Sequence, residues 1–193
     1  MFKHFFLGLG ISILAVGTFS GVALAQSTDA SELTAEELEQ IFQKQKTRGL
    51  VLAPTGAQDN TGATDTAATD LPGAETYVEL APDEQVNIQI SFDFDSSALR
   101  ADQQPKLATM CEVMQAVDIE VFRIVGHTDA SGSASYNERL SLLRAQEVKR
   151  FLVGDCGIAE TRLEAVGVGE AFPLNQEDPR ADANRRVEFQ ALS

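Results

Sequence analysis

Residues 121–154, VFRIVGHTDASGSASYNERLSLLRAQEVKRFLVG, decide how the rest of the chain is read. Val121 to Val125 is a short apolar run ending at Gly126, the form of a buried strand. A loop of small polar residues follows. Ser135-Tyr-Asn-Glu138 has the spacing of a capping box and predicts a helix over 135–153, which Gly154 and Gly157 help to stop. A strand that feeds a helix through such a loop is the building unit of an α/β layer.

The neighbouring segments extend this unit on both sides. Upstream, Val86, Ile88, Ile90, Phe92 and Phe94 alternate with Asn87, Gln89, Ser91 and Asp93, the period of a half-buried strand. Leu107, Met110, Cys111, Met114 and Val117 then repeat at helical spacing. Downstream, 162–168 and 186–192 read as two further strands, the second turning Val187, Phe189 and Ala191 inward. This order predicts an α/β two-layer sandwich over residues 85–193, with helices on one face of a mixed four-stranded sheet.

Preceding this domain are segments of other composition. Residues 53–84 form an expected linker, and its 53–76 stretch, rich in Ala, Thr, Gly and Asp, is expected to be disordered. Within residues 26–52, Thr34-Ala-Glu-Glu37 is a capping box followed by Leu38, Ile41 and Phe42, which predicts a helix over 35–46 with a narrow apolar stripe. Such a stripe either packs on the folded domain or docks on a partner. Residues 1–25 read as a signal peptide: a positive end, an apolar core from Phe5 to Val16, and Ala23-Leu24-Ala25 placing small residues where a signal peptidase reads, with Gln26 next. The competing reading is an uncleaved membrane anchor. No Cys follows the small residues, so the acylation site of a bacterial lipoprotein is missing. In an oxidising compartment Cys111 and Cys156 are expected to form a disulfide, the alternative being two buried thiols.

Fifteen Lys and Arg stand against 29 Asp and Glu, a net charge of −14. A nucleic-acid partner is excluded on that ground, since phosphate contacts need a basic face. The acidity is uneven: residues 26–84 hold 12 acids and 3 bases, and residues 85–193 hold 17 and 11.

Chemistry concentrates between the second strand and the second helix. Asn137 and Arg144 are two helical turns apart and share a face, and Asp129 lies in the loop feeding it. Arg144 and Asp129 would offer a fork for a carboxylate and an acceptor for an ammonium, the pairing a zwitterion needs. They could equally pair with each other as a structural salt bridge. Asn184-Arg185-Arg186, a basic step before the last strand, is either a solvated pair or part of the same anionic-ligand site. His127, Asp129 and Ser131 hold the residue types of a hydrolytic triad, but crowding at i, i+2 and i+4 in one loop does not give triad geometry. With His127 the one histidine beyond residue 25, zinc catalysis lacks ligands. No catalytic residue, metal or cofactor is expected.

Several ordered blocks resemble the OmpA-like peptidoglycan-binding domain, shared by OmpA C-termini, Pal lipoproteins and flagellar motor stator proteins. They are Phe92-Asp-Phe-Asp95 with Ser97 and Leu99, Gly126-His-Thr-Asp129 with Gly132, Tyr136-Asn137, Leu140-Ser141 with Arg144-Ala145, Gly167-Val-Gly169-Glu170 with Pro173, and Asn184-Arg-Arg-Val-Glu188. The resemblance implies a non-catalytic domain that grips the diaminopimelate residue of the peptidoglycan stem, with Asp129 on its ammonium and Arg144 on its carboxylate. Secondary contacts map onto Asp95, Thr128, Asn137 and Arg185. It further implies a periplasmic, outer-membrane-associated protein linking the envelope to the wall. An envelope partner held by residues 33–50 is the expected second attachment. The alternative function is a periplasmic adaptor acting mainly through that N-terminal helix.

Overall fold

The computed structural model describes residues 29–49, 77–93 and 95–192. The signal segment and the 53–76 part of the expected linker lie outside them. The elements in chain order are α1 (Ala35–Gly49), β1 (Val86–Ile88), α2 (Ala108–Ala116), β2 (Phe122–Gly126), α3 (Ala134–Gly154), β3 (Leu163–Gly167) and β4 (Val187–Ala191). The strands form one mixed sheet of order β1-β4-β2-β3. β2 and β3 run parallel, joined by the α3 crossover, while β4 is antiparallel to both β2 and β1.

Inward alternation continues from Val86 to Ile90, yet the first ladder stops at Ile88. β4 begins at Val187, which pairs with Ile88, so residues beyond Ile88 have no strand to bond. α3 is capped by Ser133, whose Oγ accepts from the Tyr136 amide at 3.3 Å, not by Ser135 as its capping-box spacing suggests. The Ser133 hydroxyl is two residues nearer the loop and meets the free amides of the first turn. At the other end Gly157 adopts a left-handed φ of 68°, and the Ile158 amide reaches back to the Leu152 carbonyl at 3.1 Å.

One face of the sheet carries the apolar core. Val86, Ile88, Phe122, Ile124, Leu163, Val187 and Phe189 meet Leu107, Met110 and Met114 of the α2 region and Val148 and Leu152 of α3. α3 lies directly on the strand ends because Gly126 and Gly167, paired in register, have no Cβ. A Cβ on Gly126 would overlap the Ser141 carbonyl, and one on Gly167 the Leu142 backbone. Cys111 on α2 and Cys156 just beyond α3 form a disulfide with Cα atoms 5.6 Å apart. Closing that loop constrains the unfolded chain by roughly 4 kcal/mol in the chain-entropy account.

In the N-terminal half the structure shows one of the two readings of the α1 stripe and corrects one boundary. The Thr34–Glu37 capping box forms as read, with the Glu37 amide donating to Thr34 Oγ1 at 3.3 Å and the Thr34 amide donating to Glu37 Oε2 at 2.9 Å. The stripe of α1, however, is covered by the chain's own domain: Leu38 and Phe42 are fully buried, and the Phe42 ring meets the edge of Phe122 with centroids 5.1 Å apart. Gln45 stitches the helix down, donating to the Glu84 carbonyl and accepting from the Ala191 amide, each at 2.6 Å. Leu38 and Phe42 are thereby used by the chain's own domain, while Leu33 and Ile41 stay partly exposed. The expected linker also ends earlier than its composition indicated, since residues 77–84 pack on the fold. Tyr77 is buried on the opposite face of the sheet with Val125, Val166 and Val168, backed by Phe172.

Candidate functional site

The cleft is built where the β2–α3 loop, the turn after β3 and the approach to β4 converge. The His127 amide donates to the Arg186 carbonyl at 3.0 Å, that of Thr128 to Gly169 at 2.9 Å, and that of Ala130 to Pro179 at 2.9 Å. These bonds place the Thr128–Asp129 step beside the first turn of α3. Asn184 is fully buried and braces the loop before β4, accepting from the Asn175 amide at 2.7 Å and donating to the Asp178 carbonyl at 3.0 Å. Arg185 follows it and projects back to the cleft.

Asp129 does not pair with Arg144. Its Oδ2 accepts from Arg185 Nη1 at 2.6 Å and its Oδ1 from the Ser131 amide at 2.9 Å. Burial pulls the Asp129 carboxyl upward, but the hydrogen bonds from Arg185 and Ser131 outweigh it and hold the group below its ordinary range. Arg185 also reaches Asp182 at 2.6 Å, forming a three-charge chain at the rim.

Arg144 is held by weaker means. Its Nε donates to the Ser96 carbonyl at 3.2 Å, and its guanidinium carbon stands 4.7 Å from the centre of the Phe92 ring. Among the described residues no carboxylate lies within ion-pair distance, and its Nη groups make no hydrogen bond. Burial lowers its proton affinity, with Asp129 attracting and Arg185 repelling the charge. A desolvated cation without a counter-charge favours an incoming anion.

The remaining expected site residues divide. Asn137, 2% exposed, bonds through Nδ2 to the Asp129 carbonyl at 3.2 Å and to Glu170 Oε2. Thr128 Oγ1 is buried without a partner among the described residues. Asp95, exposed and in left-handed backbone conformation with φ 52°, accepts from the Tyr136 hydroxyl through Oδ1 at 2.6 Å. Tyr136, Glu170, Ser96 and the Phe92 ring complete the cleft. Tyr136 and Glu170 stood in the sequence blocks without a role, because their partners lie 41 and 33 residues away.

His127 turns away from Asp129 and Ser131. Its ring is fully buried on the far face, where Nε2 meets Glu188 Oε2 at 3.1 Å, an oxygen that also accepts from the Tyr77 hydroxyl at 3.0 Å. Gln190 Nε2 donates to the other Glu188 oxygen at 2.8 Å. Burial pushes the imidazole toward its neutral form against the pull of Glu188. Burial also opposes the charge on Glu188, but the hydrogen bonds it accepts from His127 and Gln190 outweigh that and keep it a carboxylate. No group of three or more His, Cys, Asp or Glu side chains among the described residues is arranged to hold a metal ion. No helix among them is long and apolar enough to cross a membrane.

With this geometry in hand, the chain can be set beside known proteins. The OmpA family model matches residues 91–186, a span holding every cleft residue named above. Outer membrane porin F of Pseudomonas fluorescens is 36% identical over 106 residues, covering 54% of this chain and 32% of that protein. Outer membrane protein A of Bordetella avium is 34% identical over 139 residues, covering 66% of this chain and 71% of its relative. The peptidoglycan-associated lipoprotein of Mesorhizobium japonicum is 36% identical over 96 residues, covering 49% and 56% respectively. Against the porin F proteins, this chain spans about a third of their length.

Proposed function

Because the chain belongs to the OmpA family, we propose that it binds peptidoglycan without covalent bonds, through the diaminopimelate residue of the stem peptide, and so links the envelope to the cell wall. The chain is not an enzyme. The observation that carries the reading is a pair of opposite charges in one cleft that are not paired with each other: Arg144, desolvated and without a carboxylate among the described residues, and Asp129, whose carboxylate stays ionised. A zwitterion satisfies both, its carboxylate on the Arg144 guanidinium and its ammonium beside Asp129. Arg185 holds the Asp129 carboxylate in place, and the Phe92 ring backs the Arg144 fork. Hydrogen bonds to charged groups of this kind contribute about 1.5–3 kcal/mol each.

A name carried by one relative, peptidoglycan-associated lipoprotein, agrees with this reading. On this view the chain works in the periplasm, exported by a cleaved signal peptide and associated with the outer membrane. The test is sedimentation of the chain with purified sacculi. Arg144→Ala and Asp129→Ala are each expected to abolish co-sedimentation while leaving the thermal midpoint nearly unchanged. If the double variant still sediments with sacculi, the clamp assignment is wrong.

A further inference from the structure

Asn137 is more constrained than a surface asparagine. Its Nδ2 donates to two oxygens at once, the main-chain carbonyl of Asp129 at 3.2 Å and the Glu170 carboxylate. Neither the carbonyl nor the carboxylate can act as a donor, so the amide orientation is determined: both N–H protons are taken, and Oδ1 must turn to the other side. That oxygen lies toward Gly132, and no donor among the described residues reaches it. The Glu170 carboxylate is itself delivered from a clamped turn. The Gly169 amide donates to Ser141 Oγ at 2.9 Å, and the Gly169 carbonyl accepts from the Thr128 amide at 2.9 Å.

We infer that Glu170 is a positioning residue for amine recognition: by engaging one Asn137 N–H while the Asp129 carbonyl takes the other, it keeps the Asn137 carbonyl oxygen presented to the cleft beside Asp129. The inference rests on the wall-binding reading above and adds what makes the cleft select a free ammonium. Without Glu170, one Asn137 N–H is released, and the bond to the Asp129 carbonyl alone holds the amide loosely. A donor would then compete for the place where the ligand's own N–H groups must find acceptors. An unpaired donor facing a cation is costly, whereas an aligned acceptor is worth about ten- to a hundredfold in affinity.

Calorimetric titration of the full chain with two peptides tests this. One is a stem tripeptide ending in diaminopimelate with its distal amine free, and the other is the same peptide N-acetylated at that amine. The wild-type chain is expected to prefer the free amine by about tenfold or more. Glu170→Ala should bring that preference to about twofold or less with affinity for the acetylated peptide unchanged, and Glu170→Gln, whose amide oxygen still accepts from Asn137, should keep most of it. An unchanged preference in Glu170→Ala overturns the inference, as does equal weakening of both peptides with a lowered thermal midpoint. Arg144→Ala weakens both peptides in either case; if it does not, or if the wild type binds neither, the wall-binding reading fails and this inference with it.

Discussion

Two buried polar clusters sit on this sheet, and they are satisfied to different degrees. On the far face Glu188 collects hydrogen bonds from His127, Tyr77 and Gln190, while Arg186 Nε donates to Asn87 at 3.0 Å. At the cleft, Asp129 is engaged by Arg185 but the Arg144 guanidinium faces an aromatic ring and one carbonyl. A carboxylate surrounded by donors holds segments together, here fastening residues 77–78 to β4, with Gln190 also donating to the Val78 carbonyl at 2.9 Å. A cation buried without a counter-charge stores binding capacity. Burial alone would rank the clusters alike, and among the described residues the far face keeps orphans of its own in His127 Nδ1 and Arg186 Nη1; what sets it apart is a carboxylate fully engaged by donors of its own chain.

Breaking the far-face network should give the largest change in stability. Glu188→Ala removes the carboxylate that three side chains share, and urea unfolding is expected to show a loss of roughly 3–5 kcal/mol, as for other buried charge clusters broken on one side. The folded fraction should still sediment with sacculi, whereas Arg144→Ala should do the reverse. If Glu188→Ala removed wall binding at temperatures where the chain stays folded, the two clusters would not be separable.

Acid probes the same contrast more gently. His127 is held below its ordinary value by burial, so the unfolded chain takes up a proton that the folded chain refuses. Its contribution is complete above about pH 6.5 and is lost as pH falls from there toward the folded value. Glu188 is likewise held low, so its contribution is present above about pH 4.3 and disappears as pH falls through its folded value. Thermal midpoints should therefore decline from pH 7 to pH 4, by less than in Glu188→Ala. A flat profile would show that the network carries no such linkage.

Smallest is the effect at the rim of the cleft. Tyr136 holds Asp95 and thereby the loop whose Ser96 carbonyl positions Arg144. Tyr136→Phe is expected to weaken sacculus binding by about two- to tenfold with no shift in thermal midpoint. An unchanged affinity would mean that Phe92 and Ser96 position Arg144 without that latch.

The order of strands and helices, the disulfide pair and the loop carrying Asp129 were legible in the sequence because each is local or nearly so. Periodicity of apolar residues states which side of an element is buried, and Val187, Phe189 and Ala191 obey it. Periodicity does not name what covers that side, which is why the stripe of α1 left open a choice that only the packing against Phe122 resolves. Composition likewise does not state where an expected linker ends, and the Tyr77 side chain ties residue 77 to the sheet.

The amino-acid sequence by itself determined the α/β order, the acidic body with a few well-spaced arginines, and the family blocks that point to Asp129 and Arg144. Only the tertiary structure decided which charges meet: Asp129 with Arg185 across 56 residues, Asp95 with Tyr136 across 41, and Arg144 with no carboxylate among the described residues. Strand register and the close seat of α3 on Gly126 and Gly167 bring those side chains within reach, and a one-residue slip would turn them to another face. Charge pairing at such separations is a consequence of the assembled sheet, which local sequence patterns do not encode.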